Sequence, residues 1–238
     1  MRVGWYPGCA SKSFRLADQE ALKRLLGRLG YELFEIRDWV CCTGGVAEEA
    51  KGDAVERITA VNLVLAASQG ADLVATPCSL CLSTLTRGAR RLDAGLVESV
   101  ARKLGVEPPE KLPPVVHLAD LLIEAGERLD TMASGRLIGL YPGCGYLAAH
   151  GPVEARRRLA RLAELLGASG YRASFTCCGF PLYASRPRLA EKMASRVEEE
   201  LRGVELVVTL CPLCKLSLAR FTGLRVYTLE ELLAPRRG

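Results

Sequence analysis

The sequence lacks the long apolar run that a membrane-spanning helix requires. No stretch of about 18 consecutive apolar residues occurs in its 238 residues, so the sequence predicts no membrane span. It opens with Met-Arg-Val-Gly-Trp, and no apolar segment with a small-residue cleavage site follows, so no signal peptide is indicated. From these two absences we expect a cytoplasmic protein.

Nucleotide-binding and hydrolytic motifs are also missing. The sequence contains no phosphate-binding loop and no hydrolase triad, and no Gly-Xaa-Gly pattern follows the first predicted strand, so a bound flavin or nicotinamide is not indicated. The net charge of +5 comes from basic residues interspersed with acidic ones, as in residues 154–161 and 196–202. Such mixing is typical of solvated helix faces and does not indicate nucleic-acid binding.

Cysteine, by contrast, is plentiful and organised. The ten cysteines form two sets of five, each in the order C, CC, CxxC, with gaps of 31 and 35 residues in the first set and 32 and 32 in the second. The first set is Cys9, Cys41, Cys42, Cys78 and Cys81, and the second set is Cys144, Cys177, Cys178, Cys211 and Cys214. Five soft ligands in one place indicate a metal–sulfur centre, and two sets indicate a pair of centres.

Two other uses of cysteine compete with this interpretation. Structural disulfides are typical of short secreted chains that cannot build a core. This chain has 238 residues, of which 49% are hydrophobic, and an odd number of thiols in each set cannot pair internally. A structural zinc ion needs only four thiols, which leaves the fifth unexplained in both sets. A zinc-stabilised interaction module is therefore the alternative without redox chemistry.

The sequence around the cysteines is itself repeated. The recurring segments are Tyr6-Pro7-Gly8-Cys9 with Tyr141-Pro142-Gly143-Cys144, Cys41-Cys42-Thr43-Gly44 with Cys177-Cys178-Gly179-Phe180, Thr76-Pro77-Cys78 with Thr209-Leu210-Cys211, and residues 116–122 with 226–233. The first repeat carries an insertion over about residues 93–114, which predicts a helix followed by a loop. The chain is therefore expected to comprise two α/β repeats, 1–130 and 131–238.

Within each repeat, short apolar runs alternate with longer segments that have helical spacing. The first repeat predicts strands over residues 2–6, 31–36 and 72–76 and helices over 16–29 and 54–68. The second repeat predicts strands over 136–141, 171–175 and 205–209 and helices over 153–166 and 187–202. Such alternation with nearly continuous apolar strands favours parallel sheets. We expect two tandem, homologous parallel-sheet α/β lobes in a pseudo-two-fold relation.

All ten cysteines follow predicted strands. Because open parallel sheets bind ligands at the carboxyl ends of their strands, the five cysteines of each set should meet at one sheet edge. Each CxxC should also open a helix, whose N-terminal N–H groups stabilise thiolates and a negatively charged cluster. Glycines beside the thiols allow close approach of the backbone; they are Gly8, Gly44, Gly45, Gly143, Gly145 and Gly179.

These residues resemble the cysteine-rich CCG domain. That domain occurs twice in the B-type subunit of heterodisulfide reductase, and related pairs occur in iron–sulfur subunits of lactate and glycolate oxidation systems and of some succinate:quinone reductases. The resemblance covers nearly the whole chain, and Cys211-Pro212-Leu213-Cys214-Lys215-Leu216 is most similar to the heterodisulfide reductase type. The resemblance implies that each set of five cysteines binds a non-cubane four-iron, four-sulfur (4Fe-4S) cluster, in which one sulfur bridges two irons.

The resemblance also implies a function and partners. In the heterodisulfide reductase type the two clusters face each other across a substrate disulfide, and each delivers one electron. This chain is therefore expected to be an oxidoreductase subunit that cleaves or forms a disulfide of a small substrate. The alternative is an electron-transfer subunit of a flavin-dependent lactate, glycolate or succinate dehydrogenase complex. The expected partners are a ferredoxin-like iron–sulfur subunit and a flavoprotein.

The first CC pair departs from the family pattern. It reads Cys42-Thr43-Gly44, whereas the second pair, Cys177-Cys178, is followed directly by Gly179. The environment of the first cluster is therefore expected to differ, and the first site could hold another metal such as zinc.

Four further residues are candidates for supporting roles. His150 could protonate a departing thiolate or cap a helix, and Lys215 could balance cluster charge or cap a helix. Trp39 could shield the first cluster from water or pack in the core, while His117 is expected to pack at a strand end. The sequence leaves these alternatives open.

Overall fold

Two sheets of four parallel strands form the framework of the protein. The structure, a computed structural model, describes residues 1–44 and 53–235. Gly45, one of the glycines expected beside the thiols, lies outside these ranges. Across the described ranges, no helix combines the length and the apolar character that crossing a membrane would need.

The first lobe contains four strands and six helices among its described residues. The strands are β1 (Arg2–Trp5), β2 (Glu32–Glu35), β3 (Leu73–Thr76) and β4 (Val115–His117). The helices are α1 (Gly8–Phe14), α2 (Gln19–Arg28), α3 (Ala54–Ser68), α4 (Ser79–Ala89), α5 (Ala94–Leu104) and α6 (Leu118–Ala125).

The second lobe repeats this arrangement without the inserted helix. Its strands are β5 (Leu137–Tyr141), β6 (Gly170–Ala173), β7 (Leu206–Thr209) and β8 (Val226–Thr228). Its helices are α7 (Gly143–His150), α8 (Pro152–Leu165), α9 (Pro187–Glu200), α10 (Pro212–Phe221) and α11 (Leu229–Leu233), and a short 3₁₀ turn covers Phe180–Leu182.

The two sheets have the same strand order and the same register. The orders are β2-β1-β3-β4 and β6-β5-β7-β8, all parallel. Gly4 in the middle of β1 lies opposite Phe34 and Val74, and Gly139 in β5 lies opposite Arg172 and Val207. Strands β3 and β7 are buried along their whole length because helices cover both faces of a parallel sheet. The expected pair of homologous parallel-sheet lobes is confirmed.

The predicted strands and helices are confirmed, with ends that differ by at most three residues. The helix predicted over residues 16–29 begins at Gln19 because the Asp18 side chain caps it by accepting a hydrogen bond from the Ala21 N–H at 3.0 Å. The inserted segment forms α5 and then a stretch without regular structure, as predicted.

The sequence predicted three strands in each lobe, whereas the structure has four. The additional strands, β4 and β8, contain three residues each and pair with β3 and β7. Runs this short show no measurable periodicity, so they become strands only through their hydrogen bonds to the neighbouring strand. The helices that follow them, α6 and α11, both begin with a capping box, His117 with Asp120 and Thr228 with Glu231.

The lobes pack together at the carboxyl ends of the strands, where the cysteines lie. Helix α4 of the first lobe packs against α7 of the second, and a Cβ at Gly145 would lie only 2.2 Å from the Ser79 carbonyl oxygen. The Ser79 N–H donates to the Leu210 carbonyl at 2.8 Å across the boundary. The buried apolar side chains of both lobes form one continuous cluster.

Candidate functional site

The carboxyl ends of the strands bring each cysteine set together. Cys9 and Cys144 lie in the first turns of α1 and α7, directly after β1 and β5. Cys78 and Cys211 are the N-cap residues of α4 and α10, so each CxxC opens a helix as predicted. The CC pairs lie in the loops that follow β2 and β6.

Each set has a buried part and an exposed part. Six thiols are buried, three from each set: Cys42, Cys78, Cys81, Cys178, Cys211 and Cys214. Cys9, Cys41 and Cys144 are exposed, and Cys177 is half-buried. Each site therefore has a protected inner side formed by the CxxC motif and an outer side that solvent or a ligand reaches.

Contacts between sulfur atoms connect the members of each set. In the first set, Cys42 Sγ lies 3.1 Å from Cys81 Sγ, Cys9 interacts with Cys41, and Cys78 interacts with Cys81.

The second set is connected in the same way. Cys178 interacts with both Cys177 and Cys214, and Cys214 also interacts with Cys211. Cys144 is close enough for the charges of Cys211 and Cys178 to act on it. The expectation that each set of five thiols meets at one sheet edge agrees with these contacts, and the role of the thiols as ligands stays a prediction.

The two sites meet at the boundary between the lobes. Cys78 Sγ lies 3.8 Å from Cys211 Sγ, and both thiols are buried. These two residues occupy equivalent positions in the repeats. Contact between equivalent residues is what a two-fold axis produces, so the axis that relates the lobes passes between the two sites.

Backbone and hydroxyl groups near the thiols are also repeated. The Thr43 N–H donates to Cys41 Sγ at 3.3 Å, and the Gly179 N–H donates to Cys177 Sγ at 3.5 Å. Such N–H donors favour a thiolate and, at a cluster, its more reduced form. Equivalent hydroxyls, those of Thr76 and Thr209, accept the N–H of Cys78 and of Cys211 at 3.3 Å.

Two glycines, Gly8 and Gly143, leave space beside the sulfur atoms, and we call these two spaces the glycine cradles. Gly8 has a φ of +72°, and a Cβ there would lie 3.0 Å from Cys81 Sγ. Gly143 has a φ of +73°, and a Cβ there would lie 3.3 Å from Cys214 Sγ. Both positions need glycine for the left-handed backbone and for the close approach to sulfur.

Contacts among the thiols determine their pKa values. The hydrogen bond with Cys81 lowers the pKa of Cys42 to about 7, and contacts with Cys177 and Cys214 lower the pKa of Cys178 to about 4. The partner thiols shift the other way: contact with Cys42 raises the pKa of Cys81, and contact with Cys178 raises that of Cys214.

The second cysteine of each CC pair therefore gives up its proton more readily than the CxxC thiol that it contacts. Two buried sulfurs in contact cannot both carry a negative charge unless a cation compensates them. A metal centre bound by these thiols would supply that positive charge and favour the thiolate form of the remaining thiols.

Two tyrosines complete the sites, and the sequence prediction did not single them out. Tyr6 and Tyr141, the first residues of the repeated Tyr-Pro-Gly-Cys segments, are buried. The Tyr6 hydroxyl donates to the Val40 carbonyl at 2.7 Å, and the Tyr141 hydroxyl donates to the Thr176 carbonyl at 2.6 Å. Each carbonyl belongs to the residue just before a CC pair. The sequence did contain a signal for these two tyrosines, because a tyrosine stands at the same position in both repeated segments.

Trp39 and Lys215, two of the candidates for supporting roles, contact different parts of the molecule. Trp39 packs edge-on against the Tyr6 ring at 5.1 Å between centroids, so it covers a residue of the first site. Lys215 forms a salt bridge with Glu231 on α11, so its charge is compensated there.

The two histidines lie at the boundary between the lobes. Buried His117 caps α6 by accepting the Ala119 N–H, and its Nε2 lies 3.0 Å from the Leu210 carbonyl oxygen. His150 Nε2 lies 3.3 Å from Asp120 Oδ2, and its ring packs against Tyr146 at 4.4 Å between centroids. His117 therefore caps a helix and joins the lobes, which goes beyond the expected packing at a strand end.

Asp120 connects the lobes beside the second site. It accepts hydrogen bonds from Tyr146 at 2.6 Å and from Arg158 at 2.9 Å. Burial alone would raise the pKa of Asp120, but His150, His117 and the Tyr146 hydroxyl hold it well below its usual range. In the other direction, Ser11 of α1, the repeat equivalent of Tyr146, contacts buried Glu230 of α11, which lies one residue before Glu231, the equivalent of Asp120.

The residues present fit an iron–sulfur group. Within residues 1–44 and 53–235, no three Cys, His, Asp or Glu side chains are arranged to hold a single metal ion. The donor sets nevertheless consist of soft thiols, which iron–sulfur clusters require. The cradles at Gly8 and Gly143 leave space beside the sulfurs, and a cavity lined by Cys9, Cys42, Cys78 and Cys81 opens at the first site.

A family model for a cysteine-rich domain, CCG, matches residues 3–86 and 138–219. The chain belongs to the CCG family. The two matches fall on the two lobes, and together they contain all ten cysteines. The resemblance expected from the cysteine spacing is thus confirmed, with the domain present in two copies.

Two curated relatives match most of the chain. It is 26% identical over 233 residues to the 8-methylmenaquinol:fumarate reductase membrane anchor subunit of Wolinella succinogenes, an alignment that covers 90% of this chain and 80% of that protein. It is 24% identical over 222 residues to the B-type subunit of the fumarate reductase (CoM/CoB) of Methanothermobacter marburgensis, which covers 91% of this chain and 41% of that protein. The chain therefore spans less than half of the second relative.

One solved structure has a similar fold over the whole chain. It is a hypothetical protein from Helicobacter pylori, with a TM-score of 0.66 and 12% sequence identity, and the match covers 100% of this chain and 49% of that one. At this identity the likeness concerns the fold alone.

Proposed function

We propose that the chain is an iron–sulfur redox subunit, one repeat spanning residues 1–130 and the other 131–238, with one non-cubane four-iron, four-sulfur cluster in each. The observation that supports this most directly is the arrangement of all ten thiols in two matched sites that meet at Cys78 and Cys211. Cys9, Cys41, Cys42, Cys78 and Cys81 would hold the first cluster, and Cys144, Cys177, Cys178, Cys211 and Cys214 the second. Five thiolates per site, one of them bridging, suit this cluster better than a single zinc ion.

The reaction that we favour is cleavage or formation of a disulfide in a small thiol substrate. Clusters of this kind, when bound, would supply one electron each, so that the two electrons needed to break an S–S bond come from adjacent sites. The chain itself keeps the inner thiols away from water, and it leaves Cys9, Cys41 and Cys144 on the accessible side where a substrate would approach. The backbone N–H groups of Thr43 and Gly179 stabilise negative charge on the CC sulfurs.

The second candidate is electron transfer without substrate chemistry, in a flavin-dependent dehydrogenase or reductase complex. It is favoured by the two curated relatives, which are both named as subunits of fumarate reductases. Under either function the partners would be a ferredoxin-like iron–sulfur subunit and a flavoprotein, and the location would be the cytoplasm.

Iron and acid-labile sulfide analysis after anaerobic purification tests the proposal. We expect about eight iron atoms per chain, four for each cluster. Replacing Cys178 with alanine should remove about half of the iron because the second site loses an inner ligand. Thr59→Ala, which alters a buried hydroxyl in α3, is the control and should leave the iron content unchanged. Stoichiometric zinc without sulfide would overturn the redox function, and unchanged iron in Cys178→Ala would overturn the ligand assignment.

Electron paramagnetic resonance with added 2-mercaptoethanol separates the two candidate functions. A new paramagnetic signal on addition of the thiol supports substrate chemistry at the clusters. An unchanged spectrum in a chain that contains iron and sulfide supports electron transfer alone.

A further inference from the structure

The CC pairs are held by the same tyrosine contact in both lobes. Tyr6 and Tyr141 each lie at the end of the first strand of their lobe, three residues before the first cysteine. Each hydroxyl donates a short hydrogen bond, of 2.7 and 2.6 Å, to the carbonyl that precedes its CC pair. Since the chain folds back over more than thirty residues to make this contact, it is a tertiary link and not a local turn.

The tyrosines also border the sulfur atoms. A Cβ at Gly8 would lie 3.0 Å from Cys81 Sγ and 3.9 Å from the edge of the Tyr6 ring, so the ring and the sulfur flank the same cradle. In the second lobe, burial raises the pKa of Tyr141, and the charges of Cys214 and Cys178 raise it further. The hydroxyl groups are therefore within electrostatic reach of the sulfurs.

We propose that Tyr6 and Tyr141 are positioning residues, each of which holds the CC turn of its own lobe and so sets the reduction potential of that lobe's cluster. The inference rests on the proposed function, because it presumes a cluster in each lobe. It adds that the potential of each cluster is adjusted separately, through one hydrogen bond per lobe.

The physical reason is the carbonyl group that each hydroxyl satisfies. Without the hydroxyl, the negative end of the Val40 or Thr176 carbonyl would remain beside the CC pair with no donor. An additional negative dipole disfavours the reduced cluster, which carries more negative charge, so the potential should fall. The loss of one hydrogen bond sets the scale of the effect at about fivefold in the ratio of reduced to oxidised cluster.

The second turn has a further hydrogen bond whose equivalent is missing among the described residues of the first lobe. Ser217 of α10 donates to the Cys178 carbonyl at 2.6 Å. Its repeat equivalent, Thr84 of α4, has a buried hydroxyl without a hydrogen-bond partner among the described residues. We therefore expect the loss of Tyr6 to disturb its site more than the loss of Tyr141.

Tyr31 provides a matched control. It is buried, and its hydroxyl donates to the Leu121 carbonyl at 3.2 Å, far along the chain. Burial and Glu124, with no thiol involved, raise the pKa of Tyr31. A Tyr31→Phe substitution therefore removes the same type of hydrogen bond without acting on a cysteine set.

Redox titration of the full chain, purified anaerobically and followed by electron paramagnetic resonance, tests the inference in Tyr6→Phe, Tyr141→Phe and Tyr31→Phe. At a fixed potential, Tyr6→Phe should lower the ratio of reduced to oxidised form of one cluster about fivefold, equivalent to about 40 mV for a one-electron couple. Tyr141→Phe should lower this ratio for the other cluster by about threefold. Tyr31→Phe should change neither, and all three variants should keep the iron content of the parent chain.

Unchanged potentials in both site variants, or the same shift in all three variants, would overturn the inference. Absence of iron and sulfide from the parent chain would instead overturn the proposed function, so the two failures are distinguishable. If Tyr6→Phe does not fold, Tyr141→Phe decides the question alone, since it is expected to shift one cluster and leave the other unchanged.

Discussion

The two CC turns, residues 41–43 and 177–179, share one backbone shape but differ in the residue that adopts it. Thr43 has a φ of 63° and Gly179 a φ of 78°. Left-handed backbone is unfavourable for a β-branched residue and free of strain for glycine. The hydrogen bond from this residue to the first cysteine of the pair is kept in both turns. The turn geometry is thus retained in the first lobe even where the residue type opposes it.

The carboxyl groups that join the lobes differ in a similar way. Asp120 is compensated by Arg158 and accepts the Tyr146 hydroxyl. Buried Glu230 accepts only the Ser11 hydroxyl, and one of its oxygens has no hydrogen-bond partner among the described residues. Desolvation raises the pKa of Glu230 from 4.5 to about 7. Asp120 is therefore held as a carboxylate, whereas Glu230 takes up a proton at a higher pH than an ordinary glutamate.

The largest expected effect comes from giving the second CC turn the residue of the first. In Gly179→Thr, the new Cβ would lie 2.8 Å from Ala190 Cα, and the threonine would have to adopt a φ of +78°. Backbone strain and overpacking together should lower the free energy of unfolding by roughly 4 kcal/mol. Urea unfolding of the isolated chain measures this loss. A decrease below about 1 kcal/mol would show that the helix beginning at Pro187 moves aside without cost.

A smaller effect is expected from the buried acid. Because the folded protein binds a proton more tightly at Glu230 than the unfolded chain does, its destabilising effect is absent below pH 4.5 and grows until about pH 7. Glu230→Gln should therefore remove this decline and be more stable than the parent at pH 8, by roughly 3 kcal/mol. The groups that face Glu230 are Ser11, Glu231 and Lys215, and they are unchanged in the variant.

Urea unfolding between pH 4 and pH 8 measures the dependence on Glu230. Glu164→Gln is a suitable control, since Glu164 is an exposed residue paired with Arg161. If the free energy of unfolding of the parent and of Glu230→Gln changed with pH in the same way, titration of Glu230 between pH 4 and pH 8 would be ruled out.

The smallest expected effect is the reciprocal change in the first turn. Thr43→Gly relieves left-handed strain of about 1–2 kcal/mol but adds freedom to the unfolded chain, which offsets about 0.4–1 kcal/mol. The variant should therefore gain about 0.5 kcal/mol in unfolding free energy. A loss of stability in the same assay would mean that the threonine side chain contributes more than the strain removes.

The cysteine pattern predicted the fold and the candidate site well because both follow from local sequence. The position of Cys78 and Cys211 between a buried strand and a helix is visible in the order of apolar and polar residues, and the repeat doubles that signal. Strand ends and CxxC helices were therefore predicted within a few residues of where they lie.

The contacts between lobes could not be predicted in this way. Tyr146 meets Asp120, and His117 reaches the Leu210 carbonyl, over separations of 26 and 93 residues. These pairings depend on how the two sheets are placed, which no periodicity encodes. Strands β4 and β8 were missed for a related reason, since three residues become a strand only beside a formed partner.

The contact between Cys78 and Cys211 carries a consequence for the origin of the chain. Equivalent residues that touch across a two-fold axis are the signature of a symmetric homodimer, so a single ancestral repeat could have formed the same interface with a second copy of itself. In such a dimer every change would appear twice. Joining the copies in one chain removes that constraint. The equivalent pairs Tyr146 with Ser11, His117 with Thr228, and Gly179 with Thr43 show how far the halves differ.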